Sequence, residues 1–306
     1  MRVASIDCGT NSVRLLVAER TPSGDLLDVD RRLVLTRLGQ GVDATGRFHP
    51  DALKRTMAAF AEYAEVIARH GVERVRVVAT SAARDASNRD EFFTGVRRLL
   101  GVDPEVISGD EEAALSFRGA LTALPDVAAP ALVMDIGGGS TELVLGAGGE
   151  TPRIDNGLSL DIGSVRVRER FLRSDPPTVT EIAAAVAHID SLLDSCGIAF
   201  DTVATWIGVG GTATSLSAVN QRLPSYDRTM VHASRMTRAE LSSLAEQLLS
   251  STVEQVRTLP SMPTKRADVI CAGALIADRV GKRLAVDLTI SESDILDGVA
   301  MGLLGI

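Results

Sequence analysis

The sequence predicts an α/β protein of two related domains, each built on a mixed sheet flanked by helices. A strand, a glycine-rich turn and a second strand occur near residue 135, and a similar stretch occurs close to the N-terminus. Between and after them, strand-like segments alternate with helix-like segments, as is typical of α/β folds. A chain of 306 residues is long enough for two domains of ordinary size, each with its own core.

The first of these stretches, residues 133–145, reads Val-Met-Asp-Ile-Gly-Gly-Gly-Ser-Thr-Glu-Leu-Val-Leu. Consecutive amides without a Cβ form a concavity that binds anions, and two hydroxyl residues follow them. The carboxylates of Asp135 and Glu142 could bind Mg²⁺ through oxygen. An ordinary hairpin with a flexible turn is the alternative, because a glycine run alone is weak evidence. The candidate phosphate ligands here are Gly137, Gly138, Gly139, Ser140 and Thr141.

A second copy of this pattern near the N-terminus weakens that alternative. Residues 4–17 align with it without a gap, which predicts two related domains whose turns face one another across a cleft. One turn carries a cation where the other carries a carboxylate, so we expect one to bind phosphate oxygen while the other holds a metal. The alignment pairs Asp7 with Asp135, Gly9 with Gly137, Ser12 with Ser140 and Arg14 with Glu142. The phosphate candidates of this copy are Thr10, Asn11, Ser12 and Arg14.

A third candidate site follows the strand predicted at residues 75–79. The end of this strand places Thr80, Ser81 and Arg84 in a loop before the next helix. Ligands of open α/β sheets gather outside the carboxyl ends of strands, and a guanidinium group matches the geometry of phosphate oxygens. Arg84 is therefore a candidate phosphate clamp. The alternative is a surface arginine that pairs with Asp85 or Asp90.

A further glycine turn lies between a strand at residues 203–207 and a helix predicted to begin at Thr212. Free amides and the positive end of the helix dipole meet there, so Gly210, Gly211 and Thr212 are candidate ligands of a phosphate or nucleotide. Close packing of helix on strand through glycine is the alternative.

Acidic residues open another predicted helix, at residues 108–114. Asp110 or Ser108 can cap this helix, and acids in its first turn complement the helix dipole. That is a complete structural explanation when the residues are taken alone.

Taken together, three motifs resemble those of a known family. They are Asp-Ile-Gly-Gly-Gly-Ser-Thr-Glu at residues 135–142, Asp-Cys-Gly-Thr-Asn-Ser at 7–12 and Ala-Thr-Ser-Ala-Ala-Arg at 79–84. The chain resembles the exopolyphosphatase and guanosine pentaphosphate phosphohydrolase family over essentially its whole length. This family lies in the superfamily of actin, sugar kinases and heat-shock-chaperone ATPases. The resemblance implies two actin-like (ribonuclease H-like) domains with a cleft between them.

The resemblance also implies the catalytic residues. The family's Gly-x-Glu-Glu-Ala motif is matched at residues 109–113, which makes Glu112 the catalytic base and Glu111 the runner-up. A carboxylate of this kind orients or deprotonates the attacking water. We expect Mg²⁺, or another divalent cation such as Mn²⁺, to be held by Asp135 and Glu142 with Asp7 as a further ligand.

Two prolines and little periodicity mark residues 124–130 as the connection between domains. We therefore predict domains at residues 1–124 and 125–306, with a final helix from Ser293 that packs back on the first domain. Further helices are predicted at 50–69, 162–171, 180–194 and 265–280, and a strand at 284–286. The second of these helices carries Arg166, Arg168 and Arg170, which alternate with acids and apolar residues; this favours a solvated helix face over a track for a polyanion.

Composition excludes several functions. A net charge of -8 and 3% aromatic residues argue against a broad nucleic-acid surface. The three cysteines are scattered, so we expect a reducing compartment and no zinc site, and none of the four histidines has a metal-ligand spacing. No apolar stretch is long enough to cross a bilayer, which predicts a cytoplasmic protein without membrane contact.

The resulting hypothesis is an exopolyphosphatase that hydrolyses the terminal phosphoanhydride of inorganic polyphosphate. Guanosine pentaphosphate is the alternative substrate, because the family uses one phosphate machinery for both. A non-catalytic sensor of polyphosphate or an alarmone is a rival from another class, and a kinase shares only the fold. A homodimer would let a long polyanion run along a shared groove.

Overall fold

Each copy of the repeated hairpin lies in its own mixed β-sheet with helices packed on it, which confirms the predicted fold class. The computed structural model describes residues 1–124, 127–149 and 152–306. The chain divides into unit 1, comprising Met1–Gly119 and Ile295–Ile306, and unit 2, comprising Ala120–Asp294. Pro125 and Asp126, in the predicted connection, lie outside the described residues.

The sheet of unit 1 has five strands in the order β3-β2-β1-β4-β5. The first three form an antiparallel meander, and β4 and β5 then continue the sheet parallel to β1. The strands are β1 (Arg2–Cys8), β2 (Val13–Arg20), β3 (Leu26–Val34), β4 (Arg74–Ala79) and β5 (Glu105–Val106).

The helices of unit 1 are α1 (Val42–Thr45), α2 (Pro50–Arg69), α3 (Ser81–Asp85), α4 (Arg89–Leu100), α5 (Gly109–Thr122, which continues into unit 2) and α13 (Ile295–Leu304). Helix α2 has the predicted bounds, with Pro50 at its first position and a buried apolar stripe. The last helix, α13, packs on β1 and β2, where the Ser5 hydroxyl donates a hydrogen bond to the Leu296 carbonyl at 2.8 Å.

The sheet of unit 2 has six strands in the order β10-β11-β9-β6-β7-β8. Strands β6, β9 and β11 run parallel, and β7 and β8 continue antiparallel from β6. The strands are β6 (Ala131–Ile136), β7 (Thr141–Ala147), β8 (Arg153–Leu160), β9 (Thr205–Val209), β10 (Arg235–Met236) and β11 (Leu288–Ile290).

The helices of unit 2 are α6 (Ser164–Arg170), α7 (Val179–Ser195), α8 (Gly210–Asn220), α9 (Arg228–Val231), α10 (Arg238–Ser250), α11 (Val253–Arg257) and α12 (Ile270–Gly281). Reciprocal capping boxes start three of them, at Thr178, Thr237 and Thr252. Their apolar faces and the sheet enclose one continuous core around Trp206.

The two units share one topology. In unit 2 the order β8-β7-β6-β9-β11 repeats the order β3-β2-β1-β4-β5 of unit 1, with the same sequence of antiparallel and parallel neighbours. In both, the glycine turn joins the first two strands of the unit. The duplication that the sequence indicates is therefore a duplication of structure.

Some predicted elements lie elsewhere. The strand expected at 284–286 is wrong: the Leu284 amide closes a turn after α12 by donating to the Gly281 carbonyl, and the strand is β11. An apolar run such as the one that contains Leu284 predicts that its residues are buried, but it does not distinguish a strand from a turn or a helix. Helix α12 begins five residues later than predicted, at Ile270, and the loop expected to carry Arg84 is the short helix α3.

None of the helices in the described ranges is both long enough and apolar enough to span a bilayer.

Candidate active site

The two glycine turns have the same geometry. The Gly9 amide donates to the Ser12 carbonyl at 3.0 Å, and the Gly137 amide donates to the Ser140 carbonyl at 3.0 Å. The flanking strands place Asp7 directly opposite Arg14 in unit 1. In unit 2 the same register places Asp135 directly opposite Glu142.

In the unit 1 turn, a neighbouring loop occupies the carbonyl groups. The Gly39 amide donates to the Thr10 carbonyl at 2.8 Å, and the Arg37 amide donates to the Asn11 carbonyl at 2.9 Å. Within the part of the chain that the structure describes, the amides of Thr10, Asn11 and Ser12 donate no hydrogen bond. With its carbonyls held and its amides available, the turn is suited to bind an anion.

The unit 2 turn is held in the same way by the start of α6. The Ser164 amide donates to the Gly137 carbonyl at 2.9 Å, and the Arg166 amide donates to the Gly138 carbonyl at 3.0 Å. Arg166 Nε adds a bond of 2.7 Å to the Gly139 carbonyl. The amides of Gly138 and Gly139 donate to no described residue. The solvated face predicted for α6 is therefore wrong for Arg166, which is buried beneath the turn.

Side chains of the two turns differ in what they can offer a ligand. The Asn11 amide group is buried, and neither its oxygen nor its nitrogen has a hydrogen-bond partner among the described residues. The hydroxyls of Thr141 and Thr212, in contrast, donate to the Ile162 and Ile136 carbonyls. The hydroxyls of these two candidates are therefore already used as donors within unit 2.

The third turn brings the start of α8 against Asp135. Gly210 has φ +72°, and a Cβ at this position would lie 2.5 Å from Asp135 Oδ1. A Cβ on Gly211 would lie 2.2 Å from a guanidinium nitrogen of Arg266. The positive φ of Gly210 favours glycine there, and a Cβ at either position would displace the polar side chain that lies against it. Helix α8 begins at Gly210, two residues earlier than predicted.

Arg266 is a residue of this site that the sequence reasoning did not identify. It is 7% exposed and lies over the first turn of α8, where it adds a positive charge to the positive end of the helix dipole. Its sequence signal was available, since residues 266–273 resemble a motif of the family. Nothing in the local sequence indicates that its guanidinium reaches Gly211, because that contact is made by tertiary packing.

The carboxylates of Asp135 and Glu142 are the best candidates to hold a cation. They are 9% and 1% exposed and directly opposite one another, an arrangement that destabilises a sheet when both are charged. The Ser159 hydroxyl donates to Glu142 Oε1 at 2.6 Å. No group of three or more His, Cys, Asp or Glu in the described ranges forms a metal site. Two carboxylates completed by water and substrate phosphate fit Mg²⁺, which seldom has an all-protein cage.

The third predicted metal ligand, Asp7, has a different partner. Arg14 donates from Nε and Nη2 to Asp7 Oδ2, at 3.0 and 2.7 Å. A guanidinium at this distance repels a divalent cation from the same carboxylate. The structure thus favours Asp135 and Glu142 over Asp7, and it keeps Arg14 engaged with Asp7.

The carboxyl ends of β1, β4 and β5 bring the other candidates of unit 1 together. The Thr80 amide donates to the Cys8 carbonyl at 3.2 Å, and the Thr10 and Ser81 hydroxyls are 3.0 Å apart. Burial, with the Asp7 charge second, raises the pKa of the Cys8 thiol. Cys8 is therefore a small buried residue of this edge and no nucleophile.

Arg84 binds the carboxylate that the family resemblance marks as the base. Its Nη1 donates to Glu112 Oε2 at 2.8 Å and to the Ile107 carbonyl at 3.1 Å. The Arg84 and Glu112 side chains are 24% and 12% exposed. A partly buried guanidinium held between a carbonyl and a carboxylate has a fixed orientation.

The two adjacent glutamates have separate environments. Glu111 Oε1 accepts from Arg76 at 2.7 Å, and its side chain is 45% exposed. The helix cap is made by Ser108, whose hydroxyl accepts from the Glu111 amide at 3.1 Å. Glu112 is therefore not needed as the side-chain cap of α5, and it is the glutamate that lies beside Arg84.

Comparisons with known proteins identify the family to which this chain belongs. The chain is 46% identical over 319 aligned positions to Exopolyphosphatase 2 of Mycobacterium tuberculosis, covering 99% of each chain. A solved structure of an exopolyphosphatase-like protein superposes with a TM-score of 0.93 at 41% identity, covering 100% of this chain and 99% of that one. The Ppx/GppA family member of Aquifex aeolicus superposes with a TM-score of 0.83 at 32% identity, with 100% and 98% covered. The profile of the Ppx/GppA phosphatase family matches residues 16–305, and this chain belongs to that family.

Proposed function

We propose that this protein is an exopolyphosphatase, which hydrolyses the terminal phosphoanhydride bond of inorganic polyphosphate and releases orthophosphate. The observation that carries the proposal is the state of the two glycine turns. In each, another segment binds the carbonyls and leaves consecutive amides without an acceptor among the described residues. Such turns bind phosphate oxygens through backbone amides, and this contact does not depend on the rest of the substrate. The similarity to Exopolyphosphatase 2 supports polyphosphate as the anion.

In this proposal, unit 1 supplies the base and phosphate donors. The amides of residues 10–12 and the Asn11 side chain bind phosphate oxygens, and Arg84 clamps a phosphate while it orients Glu112. Glu112 accepts a hydrogen bond from the attacking water. Its low exposure, 12%, keeps bulk water from competing for the carboxylate.

Unit 2 supplies the remaining donors and the cation site. The amides of Gly138, Gly139 and Ser140 and the start of α8 donate to phosphate, with Arg266 adding positive charge. Asp135 and Glu142 would hold Mg²⁺ or Mn²⁺ when one is bound. Such an ion neutralises charge on phosphate oxygens, and it would also relieve the repulsion between the two carboxylates.

The reaction needs no covalent intermediate. Glu112 takes a proton from water as the water oxygen forms a bond to the terminal phosphorus. The bond from that phosphorus to the bridging oxygen breaks, and the bridging oxygen leaves on the shortened chain. The amides and arginines hold the equatorial oxygens in place, because positioning and electrostatics supply most of the rate in phosphoryl transfer.

The test is orthophosphate release from long-chain polyphosphate and, separately, from guanosine pentaphosphate, with and without Mg²⁺. We expect metal-dependent release from polyphosphate. If orthophosphate is released preferentially from guanosine pentaphosphate, that compound replaces polyphosphate as the proposed substrate. Tight binding of either anion without release would indicate a sensor and overturn the enzymatic proposal.

Two adjacent variants test the base. Glu112→Gln should lower turnover by about two to four orders of magnitude while the Michaelis constant changes little, because amide and carboxylate have the same shape but only the carboxylate accepts a proton. Glu111→Gln is the matched control and should stay within about threefold of the parent, since an exposed ion pair contributes little. Equal losses of turnover in the two variants would mean that both glutamates only stabilise helix α5 and that neither is the base.

The proposal also includes a cytoplasmic enzyme that acts as a homodimer. Light scattering of the purified protein, with and without polyphosphate, measures the mass of the particle. A monomer under both conditions would remove the dimer from the proposal and leave the hydrolytic reaction unaffected.

A further inference from the structure

Beyond the turns and helix start described above, unit 2 carries a polar cluster at the end of the next strand. We name it the β11 cluster, and it consists of Tyr226, Arg228 and Glu292. Glu292 lies two residues past the end of β11, and β11 is parallel to β9, with Ile290 level with Gly208. The cluster therefore lies at the same carboxyl edge of the sheet as the start of α8.

Glu292 holds both other members of the cluster. The Tyr226 hydroxyl donates to Glu292 Oε1, and Arg228 Nε lies 3.2 Å from Glu292 Oε2. Glu292 is largely covered, with 11% of its side chain exposed, whereas Arg228 is 39% exposed. The carboxylate thus faces the protein while the guanidinium reaches solvent.

The backbone around the cluster is fixed as well. The Ala233 amide donates to the Ile290 carbonyl at 2.8 Å. The Glu292 amide donates to His232 Nδ1 at 3.2 Å, and the other ring nitrogen of His232 lies 3.1 Å from the Ala123 carbonyl. An exposed arginine whose orientation is set in this way loses little conformational entropy when it binds an anion.

Thr214 lies between the cluster and the phosphate turn. Its side chain is close to that of Tyr226, and its hydroxyl donates to the Gly210 carbonyl at 3.1 Å. Thr214 lies one helical turn past Gly210 on the same face of α8. The β11 cluster is therefore next to the turn at which we propose phosphate binding.

Three neighbouring strands of one sheet thus end in groups suited to phosphate. These are the glycine turn after β6, the start of α8 after β9 and the β11 cluster after β11. Neighbouring strands are about 4.8 Å apart, so the three positions extend over roughly 10 Å. A linear polyphosphate can follow such a row, whereas a single phosphate can occupy only one position.

We propose that the β11 cluster is a distal subsite, in which Arg228 binds phosphates of the polyphosphate chain that lie several units from the bond being cleaved. The inference rests on the proposed function, since it concerns the same substrate. It makes the cluster a determinant of chain-length preference and assigns it no part in the chemical step. Arg228 offers a planar fork that matches phosphate oxygens, and Tyr226 and Glu292 position it.

The test compares long-chain polyphosphate with tripolyphosphate, which is too short to extend from the glycine turn to the cluster. Arg228→Gln should raise the Michaelis constant for the long chain by about three- to ten-fold, as expected for the loss of one charge-assisted contact, and leave the turnover number unchanged. The constants for tripolyphosphate should remain within about twofold of the parent protein. Arg228→Lys, which keeps the charge, should recover part of the long-chain affinity.

Arg257→Gln is the matched control. Arg257 also lies in unit 2, pairs with a glutamate and is 44% exposed, but it belongs to α11. If Arg228→Gln affects both substrates equally, or no more than Arg257→Gln does, the distal subsite is refuted.

Binding separates failure of this inference from failure of the proposed function. Dissociation constants for the two polyphosphates are measured on Glu112→Gln, with and without Arg228→Gln. A parent protein that hydrolyses neither substrate would refute the proposed function alone. Tighter binding of the long chain that disappears with Arg228→Gln would still support the subsite, and equal binding of both chains would refute it.

Discussion

Arg14 lies directly opposite Asp7 in the first hairpin and donates two hydrogen bonds to one oxygen of that carboxylate, the shorter of 2.7 Å. At the same register in the second hairpin, Glu142 lies opposite Asp135. One copy thus contains its own cation, while the other copy places two buried carboxylates together. This difference supports our proposal that the duplicated turns have separate tasks, with the cation held in unit 2.

The first prediction concerns Glu142 and divalent cations. Mn²⁺ at a hundredfold excess over its dissociation constant should stabilise the parent protein by about 2.7 kcal/mol, as any ligand of the native state does. Glu142→Gln should lose most of this gain. Without metal, the variant should be at least as stable as the parent, because it removes the opposition of two like charges.

The measurement is thermal unfolding with and without Mn²⁺, in the parent protein, Glu142→Gln and the control Glu254→Gln. Glu254 is an exposed carboxylate of the same unit, with 79% of its side chain accessible. A metal response that survives in Glu142→Gln would remove Glu142 from the cation site.

The second prediction separates backbone strain from contact at Gly210. Gly210 and Gly101 both have φ +72°, but a Cβ on Gly101 would meet no atom within 4 Å, whereas one on Gly210 would lie 2.5 Å from Asp135 Oδ1. Alanine at either position should cost about 1 to 2 kcal/mol of unfolding free energy, because an L-residue is strained there. Only Gly210→Ala should also lower turnover, by roughly a hundredfold, since it displaces Asp135.

Urea unfolding gives the two free energies, and steady-state kinetics gives the turnover. Equal turnover in the two variants would show that the position of Asp135 has no effect on the reaction.

Local sequence patterns predict local structure in this chain, but they do not predict contacts between segments that are distant in the sequence. Thr237 and Glu240 have capping-box spacing in the sequence, and the structure forms this box, because both partners lie within one turn. Asn88 and Glu91 have the same spacing without forming a box, since Asn88 Oδ1 instead accepts from the Phe48 amide, 40 residues away. The same limit explains the candidate site. The repeat reveals both turns, but the positions of Arg166 under the second turn and of Arg266 over the start of α8 depend on tertiary packing.

The third prediction concerns Gly39, which supports the first turn. A Cβ at this position would lie 2.2 Å from the Thr10 methyl group and 3.3 Å from Ala82. Thr10 cannot simply rotate, because its hydroxyl is bonded to Ser81. Gly39→Ala should therefore destabilise the protein by about 1 to 3 kcal/mol, the usual cost of overpacking.

Thr10→Ser removes that methyl group and keeps the hydroxyl. In this background Gly39→Ala should cost less, with a coupling free energy of about 0.5 to 2 kcal/mol in a double-mutant cycle measured by urea unfolding. If the effects of Gly39→Ala and Thr10→Ser on the unfolding free energy are additive, the Thr10 methyl group is not the source of the clash.

The last prediction concerns stability in acid. Glu181 accepts hydrogen bonds from the backbone amides of Thr178, Arg173 and Ser174, at 2.8, 3.1 and 3.0 Å. These bonds, led by that from Thr178, lower the pKa of Glu181 from its ordinary 4.5 to about 2. Because the unfolded chain takes up this proton more readily, the carboxylate stabilises the folded state fully above pH 4.5 and progressively less as the pH falls towards 2.

Glu181→Gln cannot titrate, so its unfolding free energy should fall less steeply than that of the parent over this interval. Urea unfolding at a series of pH values measures both slopes, with Glu246→Gln, at an exposed position of α10, as the control. Parallel curves for the parent and Glu181→Gln would mean that this cap does not link folding to protonation.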